Sequence, residues 1–160
     1  MGIMIRKAHL TDAAQILHIY KEAIDEGNSF ITRPEEFRET IVTIQQWLKK
    51  PQQIVFVAED AQQIMGWLSF QTTSTVAGYI TMVVCHASRG KGVGSQLLAH
   101  IIKWVEVHPT IDKIALNVFS TNLDAMALYT KFGFQQEGRK VRAFKIDDDY
   151  VDDILMYRML

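Results

Sequence analysis

The sequence predicts an α/β (α+β) fold: a mixed, mostly antiparallel central sheet of about seven strands flanked by about four helices, in the order β-α-α-β-β-β-α-β-α-β-β. Three observations lead there. Short β-rich apolar runs share the chain with longer segments whose apolar residues recur at helical spacing. The strands are not each followed by a helix, so a strictly alternating doubly wound sheet does not fit. Pro34, Pro51 and Pro109 fall between patterned segments, and no linker or internal repeat breaks the chain. The 160 residues are therefore expected to form one domain, 1–160.

The elements follow in order. Ile3 to Ala8 reads as a short first strand. Thr11-Asp12 is placed to cap a helix with the stripe Ile16, Leu17, Tyr20, Ala23 and Ile24, which Gly27-Asn28 stops. A second helix is expected after Pro34, with Phe37, Ile41, Ile44 and Leu48 on one face. Ile54 to Ala58 is continuously apolar, as in a strand buried on both faces. Ala61-Gln62-Gln63 reads as a turn, Ile64 to Thr72 as the returning strand and Tyr79 to Cys85 as another. A long helix follows with Val93, Leu97, Leu98, Ile101, Ile102 and Val105 on its buried side. Lys113 to Phe119 reads as a strand, and Asn122 caps a short helix carrying Ala125, Leu128, Tyr129 and Phe132. Strands near Phe134–Phe144 and Tyr150–Met159 complete the chain.

Composition narrows the function. Seventeen basic against eighteen acidic residues leave a formal charge of −1. That argues against a domain built to coat nucleic acid or anionic membrane, while leaving room for a local basic site. A lone cysteine, Cys85, permits neither an internal disulfide nor a Cys-based metal cluster. The histidines show no metal-ligand spacing, so no metal is expected. No apolar run approaches the roughly 18 residues of a membrane span, and the first residues lack the apolar stretch of a signal peptide. A cytoplasmic protein is the expectation.

The most informative stretch is Arg89-Gly90-Lys91-Gly92-Val93-Gly94-Ser95. It follows a strand and opens a helix. Its glycines let the backbone turn tightly and approach a ligand. Free N–H groups and the dipole at the helix start, with Arg89 and Lys91 beside them, make a cradle for pyrophosphate. It is not a P-loop, because no Lys precedes Ser95 in the required place. Nor is it the dinucleotide fingerprint: the third glycine position falls on Ser95 or Leu97.

Arg-x-x-Gly-x-Gly between a strand and a long helix, here Arg89, Gly92 and Gly94, resembles the acyl-CoA motif of the GNAT superfamily of N-acetyltransferases. Asn122 to Phe134 resembles that family's second signature, Asn-x-x-Ala-x-x-Leu-Tyr-x-x-x-Gly-Phe. Glu137-Gly138 with Tyr150 to Met156 is similar to the members that acetylate amino acids, ribosomal protein N-termini or polyamines. The resemblance implies attack of an amine on the thioester of acetyl-CoA as co-substrate. It implies that the Tyr79–Cys85 strand splays from the next. Met82, Val83 and Val84 would then meet the acetyl and pantetheine portions through backbone groups. Arg89, Gly90, Lys91, Gly92, Val93, Gly94 and Ser95 would hold the pyrophosphate, and Asn122 the cofactor arm. Tyr129 would be the general acid, although helical spacing alone reads it as a core residue.

Many relatives place a Glu on the strand before the phosphate loop. Here that strand has Tyr79, Ile80, Thr81 and Met82, so the base is open between a water chain and a carboxylate such as Glu22 or Glu26. His86 reads as a surface residue or a base, and Cys85 as a buried structural thiol. The segment joining the first two helices offers Phe30, Arg33 and Glu26 as substrate contacts. Asp147 to Asp149 with Asp152-Asp153 reads either as a solvated hairpin tip or as an acidic rim for a cationic amine. The expected activity is N-acetylation of a primary amine: an amino acid or similar small amine, or a protein N-terminus. A polyamine acetyltransferase and a non-catalytic acetyl-CoA sensor are the alternatives. Neither nucleic acid nor membrane is an expected partner. A homodimer through an exposed sheet edge is consistent with the family.

Overall fold

The computed structural model describes residues 2–160. Seven strands form one sheet: β1 (Met4–Lys7), β2 (Gln53–Asp60), β3 (Gln63–Thr72), β4 (Ala77–Val84), β5 (Lys113–Phe119), β6 (Gln135–Ile146) and β7 (Asp149–Met159). Four helices join them: α1 (Ala13–Glu26), α2 (Ile41–Leu48), α3 (Val93–Glu106) and α4 (Leu123–Lys131). The spatial order is β1-β2-β3-β4-β5-β7-β6, and every neighbouring pair is antiparallel except β4–β5. This is the expected element order. None of the helices among the described residues is long and apolar enough to cross a membrane.

Two clusters lie on the two faces of the sheet. Ile16, Ile19, Ala23 and Ile44 of α1 and α2 meet Val55, Val57, Trp67 and Val83. On the other face Val93, Leu97, Leu98 and Ile101 of α3, with Tyr129 of α4, meet Phe56, Leu68, Ile80, Leu116, Ile154 and Met156. Each fully buried aliphatic side chain contributes about 1.5–3 kcal/mol of transfer free energy. Strand alternation explains the division, because successive residues of β4 and β5 point to opposite faces.

Two local expectations are corrected. The second helix does not begin after Pro34. Pro34–Glu36 forms one 3₁₀ turn, Phe37 is extended, and α2 starts at Ile41, where the Thr40 hydroxyl accepts the Thr43 N–H at 3.2 Å. The hydroxyl cap fixes the start, and the apolar period carries no comparable stop signal. Asp12 flanks α1 as expected but does not cap it with its side chain. Its carboxylate accepts from Arg6 Nη1 and Nη2 at 2.8 and 3.0 Å and from the His9 N–H at 2.7 Å. Arg6 also donates to Glu59 Oε2 at 2.6 Å, so one guanidinium ties β1, β2 and the entry to α1.

Burial alone would raise Asp12, but Arg6 and the His9 N–H outweigh it and hold the carboxyl below its ordinary 3.8. A depressed carboxyl stabilises the fold fully above its unfolded value, and that stability is lost as pH falls through the folded value. Arg6→Met leaves two carboxylates without their cation and is expected to cost about 3 kcal/mol at neutral pH. The gap to wild type narrows as pH falls and Asp12 protonates. Urea denaturation across pH 3–8 measures both.

Candidate functional site

The parallel ladder between β4 and β5 is three residues long: Ala77, Gly78 and Tyr79 opposite Lys113, Ile114 and Ala115. Beyond it the strands part, each still held by its other neighbour. A cleft of about 720 Å³ occupies the gap. Ile80 to Val84 form one wall, and Asn117 to Phe119 with Asn122 and Ala125 the other. The start of α3 and the segment Asn28 to Ile31 after α1 also line it.

The open edge of β4 carries backbone groups with no strand partner. Arg89 Nε and Nη2 donate to the Val84 carbonyl at 3.3 and 3.2 Å, so this residue faces the gap. The Cys85 N–H points the other way, to Met65 of β3. Alternation along the strand turns the Met82 N–H and C=O toward the gap. An extended, amide-bearing ligand can complete that edge.

The start of α3 suits an anion. Gly92 is the N-cap, with φ +83°, and no side chain caps the helix. The N–H groups of Val93, Gly94 and Ser95 therefore have no side-chain acceptor at the helix start. Gly94 serves a different need. A Cβ there would lie 3.0 Å from Leu128 Cδ2 and 3.3 Å from Met82 Cε, so glycine lets α3, α4 and β4 converge. An uncapped helix start at one end of an unpaired strand edge fits the acyl-CoA that the sequence resemblance implies.

The neighbouring charges are arranged differently from a free cationic rim. Arg89 makes two bonds of 2.6 Å to Glu26. This pairing holds Glu26 below its ordinary range and raises Arg89. His86 Nδ1 lies 3.5 Å from the same carboxylate, and the His86 N–H donates to Glu22 Oε1 at 2.7 Å. Glu26, expected as a substrate contact, is thus committed to Arg89 at the mouth. Glu22 is likewise taken by a backbone donor. Arg33 does not reach the cleft: its guanidinium lies 3.8 Å from Glu35, at the start of the 3₁₀ turn. Lys91 does not line the cleft either, whereas Phe30 does, packed 5.1 Å from the Tyr20 ring. Met82, Val83, Val84, Gly90, Gly92, Val93, Gly94, Ser95 and Asn122 all line it. The Asn122 Oδ1 accepts the Ala125 N–H at 3.3 Å, so its carbonyl caps α4 and its amide N–H groups stay available.

Across the gap from β4 stands Tyr129, 7% exposed, its ring 5.8 Å from Phe134. No protein group among the described residues hydrogen-bonds its hydroxyl. Burial, with the Tyr79 phenol nearby, pushes it well above its ordinary range, so it stays protonated at neutral pH. Tyr79 is also raised by burial, while a backbone hydrogen bond from Asn117 acts in the opposite sense. The lining residues outside the predicted set include Tyr79, Asn117, Phe144 and Asp153. For Asp153 the signal was present. It shares a strand face with Val151 and Leu155, an apolar register where a charge is out of place.

The comparisons with known proteins bear on this geometry. The model of the Acetyltransferase (GNAT) family matches residues 15–134. The L-amino acid N-acetyltransferase AaaT of Escherichia coli (strain K12) is 35% identical over 78 residues, 48% of each chain. The chain thus matches about half the length of that relative. The crystal structure of a GNAT acetyltransferase from Streptococcus pneumoniae superposes with a TM-score of 0.89 at 23% identity, over 99% of this chain and 100% of that one. A phosphinothricin acetyltransferase from Sinorhizobium meliloti, in complex with AcCoA, gives 0.88 at 17% identity, over 100% and 89%. These structural likenesses speak for the fold.

Gly92→Glu tests the anion cradle. A side chain at φ +83° is strained, and its carboxylate repels an anion at the helix start. CoA binding is expected to be abolished in calorimetry, while Gly92→Ala, carrying the backbone strain alone, retains it. Unchanged CoA affinity in Gly92→Glu would refute the cradle.

Proposed function

The chain belongs to the Acetyltransferase (GNAT) family, and on that premise we propose that it transfers the acetyl group of acetyl-CoA to a small primary amine. The observation that carries the proposal is the parting of β4 from β5, with an uncapped helix start at one end and a protonated phenol beside it. The N–H groups of Val93, Gly94 and Ser95 bind the pyrophosphate of the cofactor. The Met82 N–H and C=O, with the Asn122 amide, orient the pantetheine arm along the β4 edge. Bound acetyl-CoA would supply a thioester whose C–S bond breaks as a C–N bond to the amine forms; the nitrogen gives up one proton as the amide forms, and the leaving thiolate takes one. Tyr129 holds that proton. A buried phenol keeps it at every pH near neutrality, and a thiolate that has left is a strong enough base to accept it.

The acceptor we propose is a free amino acid or a similar small amine. The name of the Escherichia coli relative supports that class. A protein N-terminus suits the same chemistry, and a polyamine is the second reading within it. The reading from a different class is a sensor that binds acetyl-CoA without turnover.

The deciding experiment follows free thiol release from acetyl-CoA across L-amino acids, polyamines and short peptides. At least one amine is expected to release thiol. Tyr129→Phe is expected to lower kcat about 100-fold while acetyl-CoA binds with unchanged affinity. Full turnover in Tyr129→Phe would remove Tyr129 as the acid. Tight acetyl-CoA binding with no thiol release from any amine would favour the sensor.

A further inference from the structure

The acidic stretch of the β6–β7 hairpin divides into residues with different surroundings. Asp147 and Asp148 form the turn, both at positive φ, and are exposed. Asp152 is taken up within the hairpin: it accepts from Arg139 Nε and from the Arg142 N–H, each at 2.7 Å. Asp153 is different. It is 7% exposed and lines the cleft. Its Oδ2 accepts one bond, from Asn117 Nδ2 at 3.0 Å. No Lys, Arg or His nitrogen lies within 4 Å of it among the described residues. Its second oxygen has no donor among the described residues, yet is not among the fully buried unpartnered atoms, so it faces the cleft.

A carboxylate this far from water normally has a cation or several donors, because an uncompensated buried charge is costly. Here the protein supplies one amide. The other groups facing it do not supply the missing charge. The Tyr79 phenol of β4 and the Asn117 amide of β5 are neutral. Lys140, opposite it in the β6 register, makes no ion pair with it. Phe119 is its partner on β5, and Phe30, Ile31 and Phe144 line the same cleft. The remaining carboxylates that line the cleft are otherwise accounted for. Glu26 is bound to Arg89, and Asp124 sits exposed in the first turn of α4, where the helix dipole favours an anion.

Placement completes the case. Asp153 and Asn117 project from the sheet face that carries α1 and α2, because Asp153 pairs with Phe119 and Asn117 with Leu155. Tyr129 comes from α4 on the opposite face. The two groups therefore approach the gap between β4 and β5 from opposite sides. We propose that Asp153 binds the ammonium group of the acceptor and takes its proton, so that the amine reaches the thioester neutral. This assignment rests on the acetyl-transfer reading and fills its missing step, since β4 carries no carboxylate. In that step one N–H bond breaks, one O–H bond forms on Asp153, and both charges vanish. The proton then leaves to solvent through the mouth of the cleft. The consequence for specificity is a preference for acceptors that are cationic in solution.

The test uses the full chain, acetyl-CoA and whichever amine of the panel gives the fastest thiol release. Asp153→Asn keeps the shape and an oxygen for Asn117. It is expected to lose at least about 100-fold in kcat/KM near neutral pH. The loss should shrink about tenfold per pH unit as alkaline solvent delivers the neutral amine in place of the carboxylate. Acetyl-CoA affinity should be unchanged by calorimetry, and Tm should be equal or higher, because a lone buried charge is gone. A wild-type rate with a wild-type pH profile would overturn the assignment. So would a loss of the same size at every pH, which is what a structural role produces. Should Asp153→Asn fail to fold, Asp153→Ser is judged by the same two readouts. Absence of thiol release by the wild type with every amine is a separate result: it overturns the acetyl-transfer reading, and this assignment with it.

Discussion

A short ladder governs this molecule. The parallel pairing of β4 with β5 ends at Tyr79 and Ala115, while each strand keeps seven antiparallel pairs with its outer neighbour. Those outer ladders fix the two strands in place, so neither can swing across to close the gap. The exposed backbone groups must then be satisfied by water or by a ligand. Every other feature of the site is placed by this parting. The α3 N-terminus sits at the end of the open edge because Gly94 lets it press against Met82 and Leu128. Tyr129 faces the gap because Asn122 caps α4 just after β5.

The electrostatics are local and largely self-contained. A formal charge of −1 spread over the chain conceals a few committed pairs. Arg6 holds Asp12 and Glu59 at the entry to α1, and Arg89 holds Glu26 at the mouth. Arg89 also binds the last carbonyl of β4, so it braces the strand end as well as the loop. The proposed anion site would therefore depend chiefly on backbone N–H groups, which a rigid helix start presents without side-chain entropy. Asp153 departs from this pairing: it is a buried carboxylate in the cleft with no cation beside it among the described residues.

Much of this was legible in the residues. The β4–turn–α3 passage, Asn122 as a cap, Tyr129 on α4 and the strand count all follow from local chemistry: glycine where φ is positive, a side-chain oxygen at a helix start, and apolar residues at the correct period. The misreadings have physical causes too. The stretch after Pro34 has helical periodicity but no hydroxyl cap until Thr40, so the helix starts later than Pro34 suggests. Arg33 and Lys91 are charged residues near the right loops, but sequence proximity does not say which way a side chain turns. Glu26 looks free along the chain and is held by a residue 63 positions away.

By itself the sequence determined the elements, their order and the glycine-opened helix, because each of these depends on neighbours within a few positions; Tyr129 was singled out by the family resemblance. Only the tertiary structure decided where β4 and β5 part, that Glu26 is occupied, and that Asp153, alone of the five hairpin carboxylates, enters the cleft. These depend on register and burial between segments far apart in the chain. An aspartate reads the same in sequence whether water or a buried cleft surrounds it, and the surroundings set what its charge can do.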